Sequence, residues 1–388
     1  MKMTAVYFEP EDWLVFREIR RFNPSDRVES IFPSPFPFYG ALRSALLRKW
    51  GVKLKYAKSP EISDEQREIL GNANNAGKLR LFGPFIFERD GDGNVRHYFP
   101  APKNIYKVTD HCKKEYKEMP VLMLDKKVEA DELKLDLAWK PEYNGASEAE
   151  SAFIELNEVE VDELKLDLAW KPEYNGASEA ESAFIELNEF ERLHRGESFT
   201  LDGPRGLRTE NQIGVGLETD MKHVKEGMIY SITRYRFVDG GFFMLTDDEE
   251  TLELLEGIDG VFLGGKQRWA NVKFCEMETH IFEPVDLNRP VAVSLLTPAL
   301  FDGGIAPKSG QISNKQIVAI VGAKKVAISG WDLENNTSKP IYHAAAPGSV
   351  YYLNGSLDTG ATLQESDLTD FGFGKVAFMS WEYFKGEV

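Results

Sequence analysis

The sequence predicts an α+β protein in two domains. Three observations carry this. At 388 residues the chain exceeds a usual single domain. Hydrophobic residues at 42% and aromatic residues at 12% suffice for more than one core. Short strand-like runs broken by Gly/Pro turns dominate the text, with few segments at helical spacing. The expected division is an N-terminal domain over 1–200, carrying an acidic insertion at 128–189, and a C-terminal domain over 201–388.

No apolar run approaches the roughly 20 residues of a membrane span, and MKMTAVYFEPEDW lacks the apolar centre of a signal peptide. Cys112 and Cys275 form no CxxC or Cys/His cluster, so neither a zinc site nor a disulfide framework is expected. These features point to a soluble protein of the reducing cytoplasm, without membrane contact, metal or cofactor.

In chain order, Asp12 to Ile19 reads as a strand, and Arg17, Arg20, Arg21 and Arg27 follow in and after it. Pro33, Pro35 and Pro37 then stiffen an extended arm, because each fixes its own φ and pushes its predecessor out of helical geometry. Good helix formers follow from Ala41. Leu42, Ala45, Leu46 and Trp50 share a face for a core, while Gly40, Ser44 and Arg48 share another, flanked by Arg43. A small residue, a hydroxyl and guanidiniums near a helix start suit a phosphate; an ordinary amphipathic helix with solvated arginines has the same pattern.

Ser63 to Leu70 reads as a short helix ended by Gly71. Leu79 to Glu88 and Val95 to Phe99 read as a hairpin around Arg89–Asn94. DxDG also opens a calcium loop, but its twelfth position is Ala101 instead of Glu, which excludes that site. Residues 128–158 then recur at 159–189 with Ala130 replaced by Val161. Each copy reads as strand, turn and helix, the helix opened by a capping box (Ser147 and Glu150 in the first copy). The second copy runs on into FERLHRGESF and is expected to be the native continuation, with the first copy inserted. An acidic arm for a partner protein is the functional alternative.

Leu201 to Gln212 reads as a loop with Arg205, Arg208 and Asn211. Met228 to Phe237 and Gly241 to Leu245 read as a hairpin around Asp239–Gly240, and Asp247 to Leu255 as a helix. Val261 to Trp269 reads as a diglycine loop, Gly264-Gly265, with Lys266, Arg268 and Trp269, leading into a strand. Short strands follow from Val291 to the end.

The net charge of −17 does not suggest a nucleic-acid binder. Each repeat copy, however, carries nine acidic groups and two lysines, net −7, which leaves the rest of the chain at about −3. A basic groove is possible there, since local field rather than total charge steers a polyanion.

Gly264-Gly265-Lys266 lacks the spacing of a Walker loop. Gly372 and Gly374 fit GxGxxA but lead into a strand. Bland turns explain both; yet each carries cations and rings: Lys266, Arg268 and Trp269 at one, Phe371, Phe373 and Lys375 at the other. Stacking rings with phosphate-neutralising cations are how single-stranded RNA is held. The six histidines show no HxxxH or HExxH spacing, and no GxSxG elbow occurs.

The segments GALRSALL (40–47), GPRGLRTENQIGVGLE (203–218), EGMIYSITRYRF (226–237), FLGGKQRWANV (262–272), APGSVYYL (346–353) and GFGKVAFMSW (372–381) resemble, in order and spacing, repeat-associated mysterious proteins of CRISPR effector complexes. More narrowly, they resemble the third subunit of the type III-B Cmr complex, of the Cas five group. The acidic repeat is a departure from that family. The resemblance implies two ferredoxin-like (RNA-recognition-motif-like) domains with insertions and a C-terminal glycine-rich loop. It implies a non-catalytic subunit that holds the 5′ tag of the CRISPR RNA. Its partners would be the large polymerase/cyclase-like subunit and a Cas seven group backbone subunit. The RNA-binding residues expected are Arg17, Arg43, Ser44, Arg48, Arg205, Arg208, Asn211, Gly264, Gly265, Lys266, Arg268, Trp269, Gly372, Gly374 and Lys375. A metal-independent ribonuclease that trims CRISPR RNA and a purely protein-binding adaptor are the alternatives.

Overall fold

The structure, a computed structural model, describes residues 1–16, 27–28, 31–52, 61–110, 113–119, 121–122, 128–129, 165–166, 168–169, 177–179, 182–217, 224–332, 337–363 and 367–383. Arg17 and most of both repeat copies lie outside them. The fold is α+β, mostly antiparallel sheet, with four α-helices among the described residues: α1 (Phe36–Lys49), α2 (Asp64–Leu70), α3 (Leu187–His194) and α4 (Glu249–Leu255).

The first sheet has seven strands in the order Phe184–Glu186, Val95–Pro100, Phe82–Arg89, Gly240–Thr246, Lys2–Pro10, Arg268–Glu278, Gly260–Leu263, each pair antiparallel. The second has five: Gln311–Ile312, Lys315–Val321, Val350–Leu353, Val291–Leu295, Val376–Ser380, again antiparallel. Both share one plan. Of Lys2–Pro10, Phe82–Arg89, Gly240–Thr246 and Arg268–Glu278 in the first sheet, taken in chain order, the first lies between the third and the fourth, and the second outside the third. Val291–Leu295, Lys315–Val321, Val350–Leu353 and Val376–Ser380 repeat that arrangement.

The sheets pack because their strands are apolar on both faces. Met3, Ala5 and Tyr7 face a core shared with α3 (Phe190, Leu193) and with Ala292, Tyr352 and Met379 of the second sheet. Val6 and Phe8 point the other way, onto Leu42 and Leu46 of α1 and Leu255 of α4. Each large side chain so buried contributes about 1.5–3 kcal/mol. A strand buried on both sides reads as a continuous apolar run rather than an alternation, so Lys2–Pro10 escapes the sequence reading. Residues 12–16 carry instead the isolated bridge from Leu14 to Tyr235.

Several expectations are corrected by long-range pairing. The Val224–Phe237 and Gly240–Thr246 strands exist but do not pair with one another. The former pairs with Leu207–Leu217, which reads as part of a loop in the sequence, and the latter inserts between Phe82–Arg89 and Lys2–Pro10. In the second repeat copy Phe184–Glu186 is a strand on the sheet edge, and α3 starts only at Leu187, with the Glu186 side chain accepting from Asn188 N–H. Pairing with Tyr98–Pro100 outweighs the capping-box signal upstream. A division at residue 200 does not coincide with the sheets: the first draws strands from residues 2 to 278, the second from 291 to 380.

Candidate nucleic-acid interface

α1 begins earlier than the prolines suggest. Pro35 is its N-cap with helical backbone and Pro37 lies in its first turn, where a missing N–H costs nothing and the preset φ helps. The helix start is therefore at Phe36, not at Ala41, and Phe36 and Phe38 bury it. The face expected to be polar is as read. Gly40, Arg43, Ser44 and Arg48 are half-buried, while Ala41, Leu42, Ala45, Leu46 and Leu47 are buried.

That polar face forms one wall of a groove of about 1210 Å³. The rest of its lining comes from the turn after Gly260–Leu263 (Gly264, Gly265 and Gln267), Leu296–Pro298, and Val326–Asp332 with Lys339. Its rings are Phe16, Phe32, Phe36, Tyr39, Phe262, Trp331 and Phe371. The turn requires glycine: Gly264 has φ +70°, and a Cβ there would stand 2.9 Å from the Val15 carbonyl oxygen. Gly265 N–H donates to that same carbonyl at 2.8 Å.

Arg43 spans to the Asn72–Asn75 turn, its two terminal nitrogens donating to the carbonyls of Asn72 (2.9 Å) and Asn75 (2.6 Å). Its guanidinium lies 5.2 Å from the Phe371 ring, and burial lowers its pKa to about 10. Lys339, which sequence reading missed, donates to Ala73 O at 2.8 Å and sits 3.9 Å from the Phe36 ring. Burial first, then the neighbouring Arg43 charge, brings its pKa down to about 8, against the pull of Asp332. Arg48 donates to Gly260 O at 3.2 Å and covers Phe262 at 5.0 Å. Phe262 keeps 44% of its surface exposed. Ser44 spends its hydroxyl on Gly40 O, 2.8 Å away, one helical turn back. No spacing rule relates Lys339 or Phe262 to α1; the fold alone joins them.

The C-terminal glycine loop approaches the same place but is built into the core. Phe371 and Phe373 are 0% exposed and pack on Phe36 and Tyr39, so their faces are not open to a base; Phe371 forms groove floor. Gly372 (φ +78°) is needed because a Cβ would lie 2.3 Å from Leu81 O. Gly374 N–H donates to Pro298 O at 2.8 Å. Lys375 is half-buried with its ammonium 5.2 Å from the Phe82 ring, and burial lowers its pKa.

On the far side of the turn, Lys266 is exposed and Arg268 pairs with Asp12 at 3.2 Å. Trp269 meets Phe262 edge-on at 5.2 Å, and its indole N–H donates to Asn271. Arg205 and Arg208 are exposed at the start of the Leu207–Leu217/Val224–Phe237 hairpin, and Asn211 accepts from Thr233 at 2.8 Å. These three do not line the groove. Arg17 is outside the described residues.

His97 shares a 2.7 Å hydrogen bond with the Tyr7 hydroxyl, and burial lowers its pKa to about 4. His194 bonds Phe378 O, and His280 pairs with Glu283. Among the described residues no group of three or more His, Cys, Asp or Glu is placed to hold a metal, and no helix is long and apolar enough to cross a membrane.

The fold and groove define an α+β protein of two similarly ordered antiparallel sheets, with a cation- and ring-lined groove between α1 and a diglycine turn. A family model described as CRISPR-associated protein (Cas_Cmr3) matches residues 6–381. The chain belongs to that family, in agreement with the resemblance to the third Cmr subunit. No curated protein matches. Among solved structures it is similar to a chain of the type III-B Cmr-beta complex bound to cognate target RNA and AMPPnP, at 16% identity over 90% of this chain and 86% of that one, with a TM-score of 0.46. The same complex with target RNA alone gives 16%, the same coverage and 0.45. A Csm1-Csm4 cassette in complex with cA4 gives 15% over the whole of both chains and 0.39.

Proposed function

We propose that the chain is a non-catalytic, RNA-holding subunit of a type III-B CRISPR effector complex. Its groove takes the single-stranded 5′ tag of the CRISPR RNA, and the chain bridges the large polymerase/cyclase-like subunit to the Cas seven group backbone. One observation carries this reading. In a chain of net charge −17, the polar face of α1 and the Gly264–Gln267 turn converge on one groove where Arg43, Arg48, Arg67 and Lys339 outnumber Asp332. Unpaired RNA offers phosphates to cations and bases to rings, and the Arg48–Phe262 pair presents both at an accessible ring.

The topology supports the two ferredoxin-like domains that the resemblance implies. In the first sheet the order strand, α1, strand, strand, α4, strand follows the β-α-β-β-α-β plan. The second sheet keeps the strand order with a loop and the short 3-10 helix Asp367–Phe371 in place of α-helices. The domains are then 2–278, with 90–239 as a long insertion, and 291–380.

Filter-binding titration of a tag-sequence RNA tests the reading. Arg48→Ala combined with Lys339→Ala should weaken binding by about tenfold or more and flatten the dependence of log affinity on log salt. Unchanged affinity in a folded double variant contradicts it.

A further inference from the structure

Beyond the groove, a second cluster of cations stands on the other side of the same turn. Trp13 is buried at 7% exposure. The guanidiniums of Arg234 and Arg268 lie 4.1 and 4.0 Å from its ring centroid, with the Lys266 ammonium at 5.8 Å. Arg234 comes from the Val224–Phe237 strand, Arg268 from the start of Arg268–Glu278, and Lys266 from the turn, so three segments converge on one indole.

The local charge is unbalanced. Arg236 pairs with Glu210 at 2.6 Å and reaches Asp12 at 3.7 Å, and Arg268 pairs with Asp12 at 3.2 Å. Arg234 and Lys266 have no carboxylate partner among the described residues. The Nε atoms of Arg234 and Arg268 are buried without a hydrogen-bond partner among those residues. Guanidiniums held against a buried ring lose little freedom when an anion arrives, and their forked donors match phosphate geometry.

Position supplies the ligand. Gly264, Gly265 and Gln267 line the groove, whereas Lys266 between them reaches toward Trp13. Val15 and Phe16 line the groove two and three residues after Trp13. A strand leaving the groove across this turn meets the Trp13 cluster next.

We propose that Arg234, Arg268 and Lys266, mounted on Trp13, form a phosphate clamp that takes the backbone of the same single-stranded RNA where it leaves the groove over the Gly264–Gln267 turn. This rests on the RNA-holding reading and adds Arg234 and Trp13 as residues that set the path of the strand. Two guanidiniums and an ammonium recognise the backbone, not base edges, so the clamp is indifferent to sequence.

The test is fluorescence anisotropy with the full-length chain and a labelled single-stranded oligoribonucleotide of about 16 nucleotides, across a salt series. Arg234→Ala and Lys266→Ala are each expected to weaken binding by about tenfold. Each should lower the slope of log affinity against log salt by about 0.7, the loss of one phosphate contact. Lys266 is exposed, so its variant folds even where Arg234→Ala does not; Arg234→Lys should recover most of the salt slope. Arg48→Ala reports separately on the groove. If Arg48→Ala weakens binding while folded Arg234→Ala and Lys266→Ala match wild type in affinity and slope, the clamp is overturned and the groove reading stands. If wild type does not bind the RNA, both fall. If the variants lose affinity for a polyglutamate peptide but not for RNA, the cluster is a protein-docking site and the proposal is overturned.

Discussion

Arg48 of α1 holds its guanidinium 5.0 Å from the centroid of Phe262, a ring on the strand before the diglycine turn that keeps 44% of its surface exposed. Two segments more than two hundred residues apart thus present a cation and a partly exposed ring side by side in the groove. Phe262→Ala is expected to cost about 1–3 kcal/mol of RNA affinity, the usual worth of one stacked base. In a double-mutant cycle with Arg48→Ala the losses should fall short of additivity, because each residue positions the other. Strict additivity in anisotropy titrations would show that they act separately.

Gly372→Ala should destabilise the protein by about 3 kcal/mol, the sum of left-handed backbone strain and overpacking. The added carbon would meet Leu81 O at 2.3 Å and Phe82 Cα at 2.5 Å, both backbone atoms that cannot swing aside. Gly91→Ala, with nothing within 4 Å of its Cβ position, serves as the control. Urea unfolding of both variants decides the matter.

Lys339 titrates near 8 because it is buried, with Arg43 adding to the depression. Two opposite pH effects follow. RNA affinity should fall as pH rises through about 8, since the groove loses a charge. Stability should rise between about 8 and the ordinary lysine value of 10.5, because there the unfolded chain binds more protons than the native one. Lys339→Arg should abolish both slopes. Parallel affinity and melting series over that pH range are the check.

Glu118 behaves in the other direction. Burial lifts its carboxyl from the usual 4.5 to about 7, and the hydrogen bond from Asn104 offsets this only in part. Asn104 also donates to the Tyr352 hydroxyl at 2.9 Å, which ties the Ile105–Asp110/Lys113–Glu118 hairpin to the second sheet. The native state holds the extra proton, so stability should be full below about 4.5 and decline as pH rises to about 7. In Glu118→Gln the urea midpoint should lose that part of its pH dependence.

Local features were readable in the sequence wherever a local rule governs them. α2 starts at Ser63 with a reciprocal capping box to Gln66 and stops at Gly71, and the polar face of α1 falls on Gly40, Arg43, Ser44 and Arg48. What escaped depends on distant partners. Lys2–Pro10 is apolar on both faces because two cores flank it. Phe371 and Phe373 read as stacking rings beside glycines, yet packing on Phe36 and Tyr39 claims them for the core. Lys339 enters the groove through a bond to Ala73, 266 residues away in sequence. Arg205 and Arg208 sit in a motif with strong family resemblance, but strand pairing carries them onto a hairpin outside the groove.

The central claim is that α1 and the Gly264–Gln267 turn grip one unpaired RNA strand between them. Photo-crosslinking of a 4-thiouridine-labelled CRISPR RNA tag to the full-length chain, with the attached peptides identified by mass spectrometry, addresses it most directly. The account predicts adducts on peptides spanning both Phe36–Lys49 and Phe262–Trp269. Adducts confined to peptides that contain neither segment would contradict it.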